Sequence, residues 1–371
     1  MPNLKLGIVG LPNVGKSTLF NALTAAAAAA ENYPFCTVDP NVGVVDVPDA
    51  RLDRLYQCVQ PKSRVPATVT FVDIAGLVEG ASRGEGLGNQ FLANIRGVDA
   101  IVHVVRCFED PDVAHVLGQV DPVRDRDIIN TELALSDLQV VERRLERVEK
   151  VARSGDREAQ LEERLLRQLR AALSEGKPAR TVRAQNEEET RLIRGYQLLT
   201  TKPELYVANV TEAEFLGEAG ENAHVAALRA AVAGEHEPAE IVALAARLEA
   251  ELLALDEDER RQYLAELGIT EPGLYRLIRA GYRLLGLISF FTAGPKEVRA
   301  WTIRAGTPAA QAAGEIHSDF ERGFIRAETI GWQAYLDAGS EKAAREDGRI
   351  RSEGRDYVVQ DGDVILFRFN V

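Results

Sequence analysis

Residues 10–17 read Gly-Leu-Pro-Asn-Val-Gly-Lys-Ser, a gapless match to G-x-x-x-x-G-K-S, and no other stretch restricts the fold so strongly. An apolar run, Leu4–Val9, leads into it and a helix-forming run, Ser17–Ala30, leads out. Glycines at 10 and 15 allow the backbone to curl so that successive N–H groups point at one anion. The N-terminal end of the following helix adds positive potential. Lys16 is then placed to reach β- and γ-phosphates, and the Ser17 hydroxyl to ligate Mg²⁺. A plain glycine-rich turn before a helix is the alternative. The strand, the spacing and the Lys-Ser pair together point instead to a nucleoside triphosphate.

Up to about residue 120 the chain alternates short apolar runs with helical stretches. The expected strands are Leu4–Val9, Val42–Asp46, Thr68–Asp73 and Ala100–Val105. Such alternation predicts an α/β fold with a largely parallel sheet covered on both faces, its ligands at the strands' carboxyl ends. From about residue 130 the period changes: Leu138, Val141, Leu145, Val148 and Ala152 form a heptad seam. After Ser154-Gly155-Asp156, Leu161, Leu165, Leu169 and Leu173 restore a stripe that Gly176 and Pro178 end. Two helices of similar length, packed as an antiparallel coiled-coil hairpin, are expected. Strand pattern resumes at Leu205–Ala208 and Glu240–Ala243, so the hairpin interrupts the nucleotide fold. The last segment is read as a β-rich domain, with Val298, Trp301 and Ile303 in one strand and Asp361-Gly362-Asp363 turning between Tyr357–Val359 and Val364–Phe369. The expected division is 1–127 and 199–284 for the nucleotide fold, 128–198 for the insertion and 285–371 for the C-terminal domain.

Composition excludes several classes. With 371 residues, 46% apolar and 27% charged, the chain has the make-up of a globular protein. A net charge of −13 argues against wholesale coating of nucleic acid, so such contact needs a local patch. Three cysteines, Cys36, Cys58 and Cys107, lack metal-type spacing and suit a reducing compartment. Lys5 interrupts the first apolar run and no stretch approaches the ~20 apolar residues of a membrane span, so a cytoplasmic protein without membrane contact is expected. The alanines at 25–30 read as helix continuation.

Further motifs narrow the chemistry. Phe71-Val72-Asp73-Ile74-Ala75-Gly76 is a strand ending in Asp-x-x-Gly: the Asp73 carboxylate would hold Mg²⁺, commonly through water, and the Gly76 amide would meet the γ-phosphate. Between the two motifs Thr37 offers a hydroxyl to Mg²⁺ from a loop able to sense the γ-phosphate; taken alone, it is as well a plain loop threonine. Gly76, Gly80, Gly84, Gly86 and Gly88 suggest a switch or a simple surface loop. After Gly76, where Ras-like GTPases orient water with Gln, stands Leu77, which cannot hydrogen-bond. Another group must organise attack. His115, in a polar loop after the fourth strand, is the candidate, an exposed structural histidine being the alternative. His103, within that strand, reads as structural. Where GTPases read guanine with Asn-Lys-x-Asp, this chain has Asn209-Val210-Thr211-Glu212: the lysine is lost and the carboxylate moves outward by roughly 1.5 Å. Ala245-Ala246-Arg247 replaces a Ser-Ala-Lys type loop. Adenine, or relaxed choice, is favoured.

GLPNVGKS at 10–17, NYPFCTVDPN at 32–41, DIAGLVEGASRGEGLGNQFL at 73–92, HVVRCFED at 103–110 and NVTE at 209–212 together resemble the YchF family of Obg-related P-loop NTPases. The resemblance continues through EPGLYRLIRAGYRLLGL, FTAGPKEVRAWTI and GEIHSDFERGFIRAETI to DGDVILFRFNV, essentially the whole chain. It implies a G domain split by a helical coiled-coil insertion and a C-terminal TGS domain of β-grasp type. It further implies ATP preferred over GTP, a hydrophobic residue for the catalytic Gln (here Leu77), and ribosome association, with the large subunit and its rRNA the expected contacts. Nucleotide contacts carry over onto Asn13, Val14, Gly15, Lys16, Ser17 and Thr18, with Mg²⁺ at Ser17 and Thr37 and the base near Val210. The family's loop histidine matches His115, and Asn13 matches the asparagine of related GTPases that use K⁺. Ala245-Ala246-Arg247 departs from the pattern and leaves the base contacts open.

Three readings follow: a slow ATPase acting as a switch, a GTPase of the same fold, or a nucleotide-gated module docking on RNA or the ribosome. Residues 143–194 hold 14 Lys/Arg against 10 Asp/Glu, a local +4 that suits phosphate contact or simply a solvated hairpin. A monomer is expected.

Overall fold

Ile8, Val9, Val102, Val104 and Val105 are buried because their strands lie side by side within a sheet covered on both faces. The computed structural model describes residues 4–29, 41–74, 87–217, 220, 222–235 and 238–370. Its twelve strands among these residues are β1 (Lys5–Val9), β2 (Val42–Asp46), β3 (Ser63–Val65), β4 (Thr68–Asp73), β5 (Ala100–Arg106), β6 (Glu204–Asn209), β7 (Ile241–Leu244), β8 (Leu287–Ala293), β9 (Glu297–Arg304), β10 (Phe324–Gly331), β11 (Arg351–Glu353) and β12 (Asp363–Phe369). One sheet has the order β2-β4-β1-β5-β6-β7 and the other β11-β10-β12-β8-β9-β3. In the first, β1, β5, β6 and β7 run parallel, with Val9 opposite His103, Arg106 opposite Asn209 and Asn209 opposite Leu244. That register brings the carboxyl ends of four strands level. The α/β fold expected from the alternation is present, each apolar run becoming a strand within a residue or two of its expected ends.

Two compact units divide the chain. One comprises Lys5–Gly43 and Phe71–Leu277; the other comprises Met1–Leu4, Val44–Thr70 and Ile278–Val371. The segment 44–70, which the sequence reading kept with the nucleotide fold, therefore clusters with the C-terminal region. The reason is visible residue by residue. Strand β3 pairs in parallel with β9, Arg51 bonds both Asp49 and Asp361, and Cys58 Sγ donates to the Gly339 carbonyl at 3.3 Å. Within this unit the Phe290, Trp301, Ile365 and Phe367 core is closed by the alanine-rich helix Ala309–Ile316.

Two expectations are corrected here. The helices of the insertion are unequal: Pro122–Ala152 has 31 residues and Arg157–Ser174 has 18. The first begins early because Asp121 caps it, accepting from the Arg124 amide at 3.0 Å, and Pro122 suits the first helical position. Its first three turns belong to the nucleotide fold, where Ile129 and Leu133 are buried; only the remainder forms the hairpin with Leu165, Leu166, Leu169 and Leu173. The break is where it was expected, with Gly155 at φ +87° and Asp156 capping the second helix. Second, Tyr357–Val359 is no strand. Val358 makes a single bridge to Pro308, and β12 pairs instead with β10 and β8. The Asp361 turn is held by other means: Oδ1 accepts the Ser289 amide at 3.0 Å. Among the described residues no helix is long and apolar enough to cross a membrane.

The long helix is fastened at its middle by Asp137, 1% exposed, whose carboxylate accepts from the Leu199 amide (2.8 Å) and from the Thr200 amide and hydroxyl (both 2.7 Å). Replacing Asp137 by Ala leaves buried donors unpaired, so Asp137→Ala should cost about 3 kcal/mol in denaturant unfolding. Asp137→Asn, which keeps an acceptor but faces an N–H with another, should cost less.

Candidate functional site

The loop between β1 and the helix Lys16–Ala29 has the backbone that its glycines were expected to supply. Gly10 has φ +155° and a Cβ there would lie 2.4 Å from the Val104 carbonyl oxygen; Gly15 has φ +98° and a Cβ would lie 2.3 Å from Asn209 Nδ2. Asn13 is left-handed as well, at φ +62°. Val14 is buried and anchors the loop, while Asn13, Ser17 and Thr18 are exposed. Lys16 is 8% exposed, its ammonium donating to the Leu11 carbonyl at 2.7 Å. Burial lowers its pKa to about 8, an effect the nearby Asp73 carboxylate partly offsets. Asp73, at the end of β4, is raised by burial and pulled back by Lys16. Its Oδ1 is buried and has no hydrogen-bond partner among the described residues. An orphaned carboxylate oxygen within electrostatic reach of Lys16, whose next residue in the loop offers an exposed serine hydroxyl, is a fitting donor set for Mg²⁺, which favours oxygen ligands and retains waters. Among the described residues no group of three His, Cys, Asp or Glu gathers into a metal cage.

Asn209 closes the loop from the far side. Its Nδ2 donates to the Val14 carbonyl at 2.9 Å and its Oδ1 accepts from the Ala246 amide at 3.0 Å, all three groups buried. Val210 is buried in a core with Tyr206, Val225 and Leu228, and its amide bonds the Leu244 carbonyl at 3.0 Å. Thr211 caps the short helix Glu212–Phe215 through a reciprocal pair with Glu214. Glu212 Oε1 accepts from the Tyr263 hydroxyl at 3.4 Å. Thus the Asn209–Glu212 stretch does meet the phosphate loop, through Asn209.

The loop after β5 reaches the same place. Asn13 Nδ2 donates to the Ala114 carbonyl at 3.1 Å. The next residue, His115, is turned away: Nε2 lies 2.7 Å from Asp125 Oδ2, and Nδ1 accepts from the Leu117 amide at 3.1 Å. With both ring nitrogens engaged and the side chain 4% exposed, His115 is an anchor in this arrangement. The catalytic assignment requires a ring nitrogen to be released, Nδ1 from the Leu117 amide or Nε2 from Asp125. His103 is structural as expected, fully buried against Tyr206, with a pKa lowered to about 3 by burial and the charges of Arg126 and Lys16.

Thr37, Gly76, Leu77 and the glycines at 80, 84 and 86 lie outside the described residues. Among described ones, sequence reasoning missed Arg106, Ala114 and Asp125. Arg106 had a signal, a charged residue closing a fully buried strand; Asp125 had the Asp-Pro helix start four residues before it.

Some of the hairpin's basic residues are paired: Arg144 with Glu162, Arg167 with Glu149 and Glu163, Arg164 with Glu189. In the C-terminal unit three half-exposed guanidinium groups, Arg326, Arg345 and Arg368, converge on the carboxylate of Glu328 and hold its pKa down to about 2, Arg345 pairing with Glu341 as well.

Two family models match the chain. The 50S ribosome-binding GTPase family covers residues 5–141, and the YchF GTPase C-terminal domain, described as a protein of unknown function, covers residues 287–370. The ribosome-binding ATPase YchF of Bacillus subtilis is 54% identical over 99% of this chain and 100% of its own length. The Obg-like ATPase 1 of Rattus norvegicus is 46% identical over 99% of this chain and 93% of its own. A solved structure of the Schizosaccharomyces pombe YchF GTPase superposes with a TM-score of 0.89 at 39% identity, covering 99% of this chain and 98% of that one.

The pKa of Lys16 gives this site a pH signature. With its pKa lowered to about 8, Lys16 is neutral in about half of the free molecules near pH 8. A bound phosphate favours the ammonium and raises its pKa, so ADP binding at pH 8 should take up to about half a proton. Affinity should therefore fall as pH rises through 8. Calorimetry in two buffers of different ionisation enthalpy measures the uptake, and zero uptake would remove Lys16 from the phosphates.

Proposed function

The chain belongs to the YchF family, and on that footing we propose that it is a slow, Mg²⁺-dependent ATPase whose nucleotide state governs docking on the ribosome in the cytoplasm. The observation that carries the nucleotide choice is the state of the Asn209–Glu212 stretch. Asn209 has both ends of its amide committed to Val14 and Ala246, and the Glu212 carboxylate leans on the Tyr263 hydroxyl. A guanine reader needs a carboxylate free to accept from N1 and N2 and a lysine after the asparagine; position 210 here is a buried valine. Guanine loses the partners that would favour it, and adenine has no such partners to lose.

Val14 to Thr18 supply the phosphate cradle, Lys16 the mobile cation. Ser17, Thr37 and Asp73 would hold Mg²⁺, which when bound offsets phosphate charge. K⁺ is a second candidate at Asn13, through the side-chain oxygen, since the nitrogen is committed to Ala114. Lys16 binds and orients the terminal phosphates, and the Gly76 amide would meet the γ-phosphate. With Leu77 unable to orient water, hydrolysis is slow unless His115 is freed or a partner supplies the group.

For docking, the Arg326, Arg345 and Arg368 cluster is the better-supported phosphate contact, because three guanidinium groups converge there on two carboxylates, Glu328 and Glu341. The hairpin contributes a second contact, in which Arg144, Arg164 and Arg167 are internally paired. Two weak contacts on one chain combine through effective concentration. The expected target is the large subunit and its rRNA, bound by a monomer.

Two experiments test this reading. In calorimetry ADP should bind roughly ten-fold or more tightly than GDP, and Val210→Lys with Glu212→Asp should shift the balance toward guanine. A GDP preference in the parent would replace the ATPase reading with the GTPase one. Lys16→Ala should weaken triphosphate binding sharply. In cosedimentation, Arg326→Ala with Arg368→Ala should reduce ribosome pelleting more than deletion of residues 143–194, and pelleting should fall with salt. Equal pelleting by parent and double variant removes the C-terminal contact.

A further inference from the structure

Asn13 stands at φ +62°, a conformation few side chains adopt unaided, and in the middle of a loop that must present its backbone to phosphates. What meets its side chain is a backbone carbonyl, that of Ala114, 101 residues away. A single carbonyl on a polar surface loop would be a poor support. This one is fixed from both sides.

On the N-terminal side stands Arg106, the last residue of β5 and 1% exposed. Its guanidinium donates to three carbonyls of the loop: Phe108 at 3.0 Å from Nε, Val113 at 2.9 Å from Nη1 and Asp110 at 3.3 Å from Nη2. It also lies 4.5 Å from the centre of the Phe108 ring. The flat, five-donor fork gathers the loop up to the residue before Ala114. On the C-terminal side His115 is bonded to Asp125, which is 2% exposed and sits in the first turn of the helix Pro122–Ala152. The Leu117 amide fixes the other ring nitrogen, which leaves Nε2–H as the donor to the carboxylate.

We propose that His115 and Asp125 are positioning residues for nucleotide binding: their hydrogen bond, with Arg106 opposite, fixes the Ala114 carbonyl that holds Asn13 in its phosphate-binding conformation. The proposal rests on the phosphate-loop reading above and assigns His115 a task in the ground state, separate from any part in hydrolysis. Asp125 is buried, also accepts from the Arg124 guanidinium, and acts here through the loop.

The test is a double-mutant cycle read with ADP, which undergoes no hydrolysis. Asp125→Ala should weaken ADP binding about three- to ten-fold, the span expected for losing one well-supported hydrogen bond. Asn13→Ala should weaken it to a similar extent. The two together should be no worse than either alone, since they cut one chain of contacts. Asp125→Asn, which keeps an oxygen for Nε2–H, should bind within about two-fold of the parent. If Asp125→Ala fails to fold, His115→Ala cuts the same link from the other end, with melting temperature followed in parallel. Full additivity in the cycle, or ADP affinity unchanged in both Asp125→Ala and His115→Ala, overturns the proposal. The underlying reading fails differently: a parent that binds neither ADP nor GDP would refute the nucleotide site itself.

Discussion

The side-chain amide of Asn209 joins segments that the chain separates widely, since its nitrogen serves Val14 and its oxygen serves Ala246. Buried amides must be paired at both ends or they cost more than they contribute. That requirement fixes three things together: the close of the phosphate loop, the carboxyl end of β6 and the start of the helix after β7. It also explains the absence of any side chain at 15, where a Cβ would lie 2.3 Å from the amide nitrogen. The phosphate loop is therefore shaped from outside as much as by its own glycines.

The same logic accounts for how an insertion is carried without loosening the site. Strands β5 and β6 are neighbours in the sheet, yet two long helices lie between them in sequence. The cost of so long a connection grows only slowly with length, provided its ends are fastened. They are fastened by polar groups. Asp125 and Asp137 engage His115 and the Leu199–Thr200 backbone, and the Asn130 amide donates to the Tyr206 hydroxyl at 3.2 Å. The apolar seam of Val141, Leu145, Leu165 and Leu169 then closes the hairpin on itself.

What could be read in advance had local physical causes. Gly10, Gly15, Lys16 and Ser17 were legible because residue type and spacing alone mark a phosphate loop, and β1, β5 and β6 because buried parallel strands are continuous apolar runs. The break at Gly155 was legible for the same reason, a turn residue interrupting a period. The rest depended on distant partners. Nothing adjacent to His115 announces a carboxylate ten residues on, and nothing near Ala114 announces Asn13. The early start of the long helix was written in Asp121-Pro122, but the heptad seam drew attention past it. Strand β3 is too short for a period to show, and only its pairing with β9 defines it. Tyr357–Val359 has strand composition without a free partner edge, so composition misled.

Asp125 gives the arrangement a consequence beyond the loop it fixes. It is covalently part of the helix Pro122–Ala152, whose far half is one arm of the hairpin. A contact that shifts or steadies this helix changes the free energy of the Asp125–His115 bond, and through Ala114 that of Asn13. Linkage is reciprocal: if holding the helix changes nucleotide affinity by some factor, nucleotide must change the affinity of whatever holds the helix by the same factor. A hydrogen bond of this kind bounds the effect to about ten-fold, since no coupling exceeds the interaction that transmits it. That is a graded adjustment. A larger dependence of docking on nucleotide state would have to run through residues that meet the γ-phosphate itself.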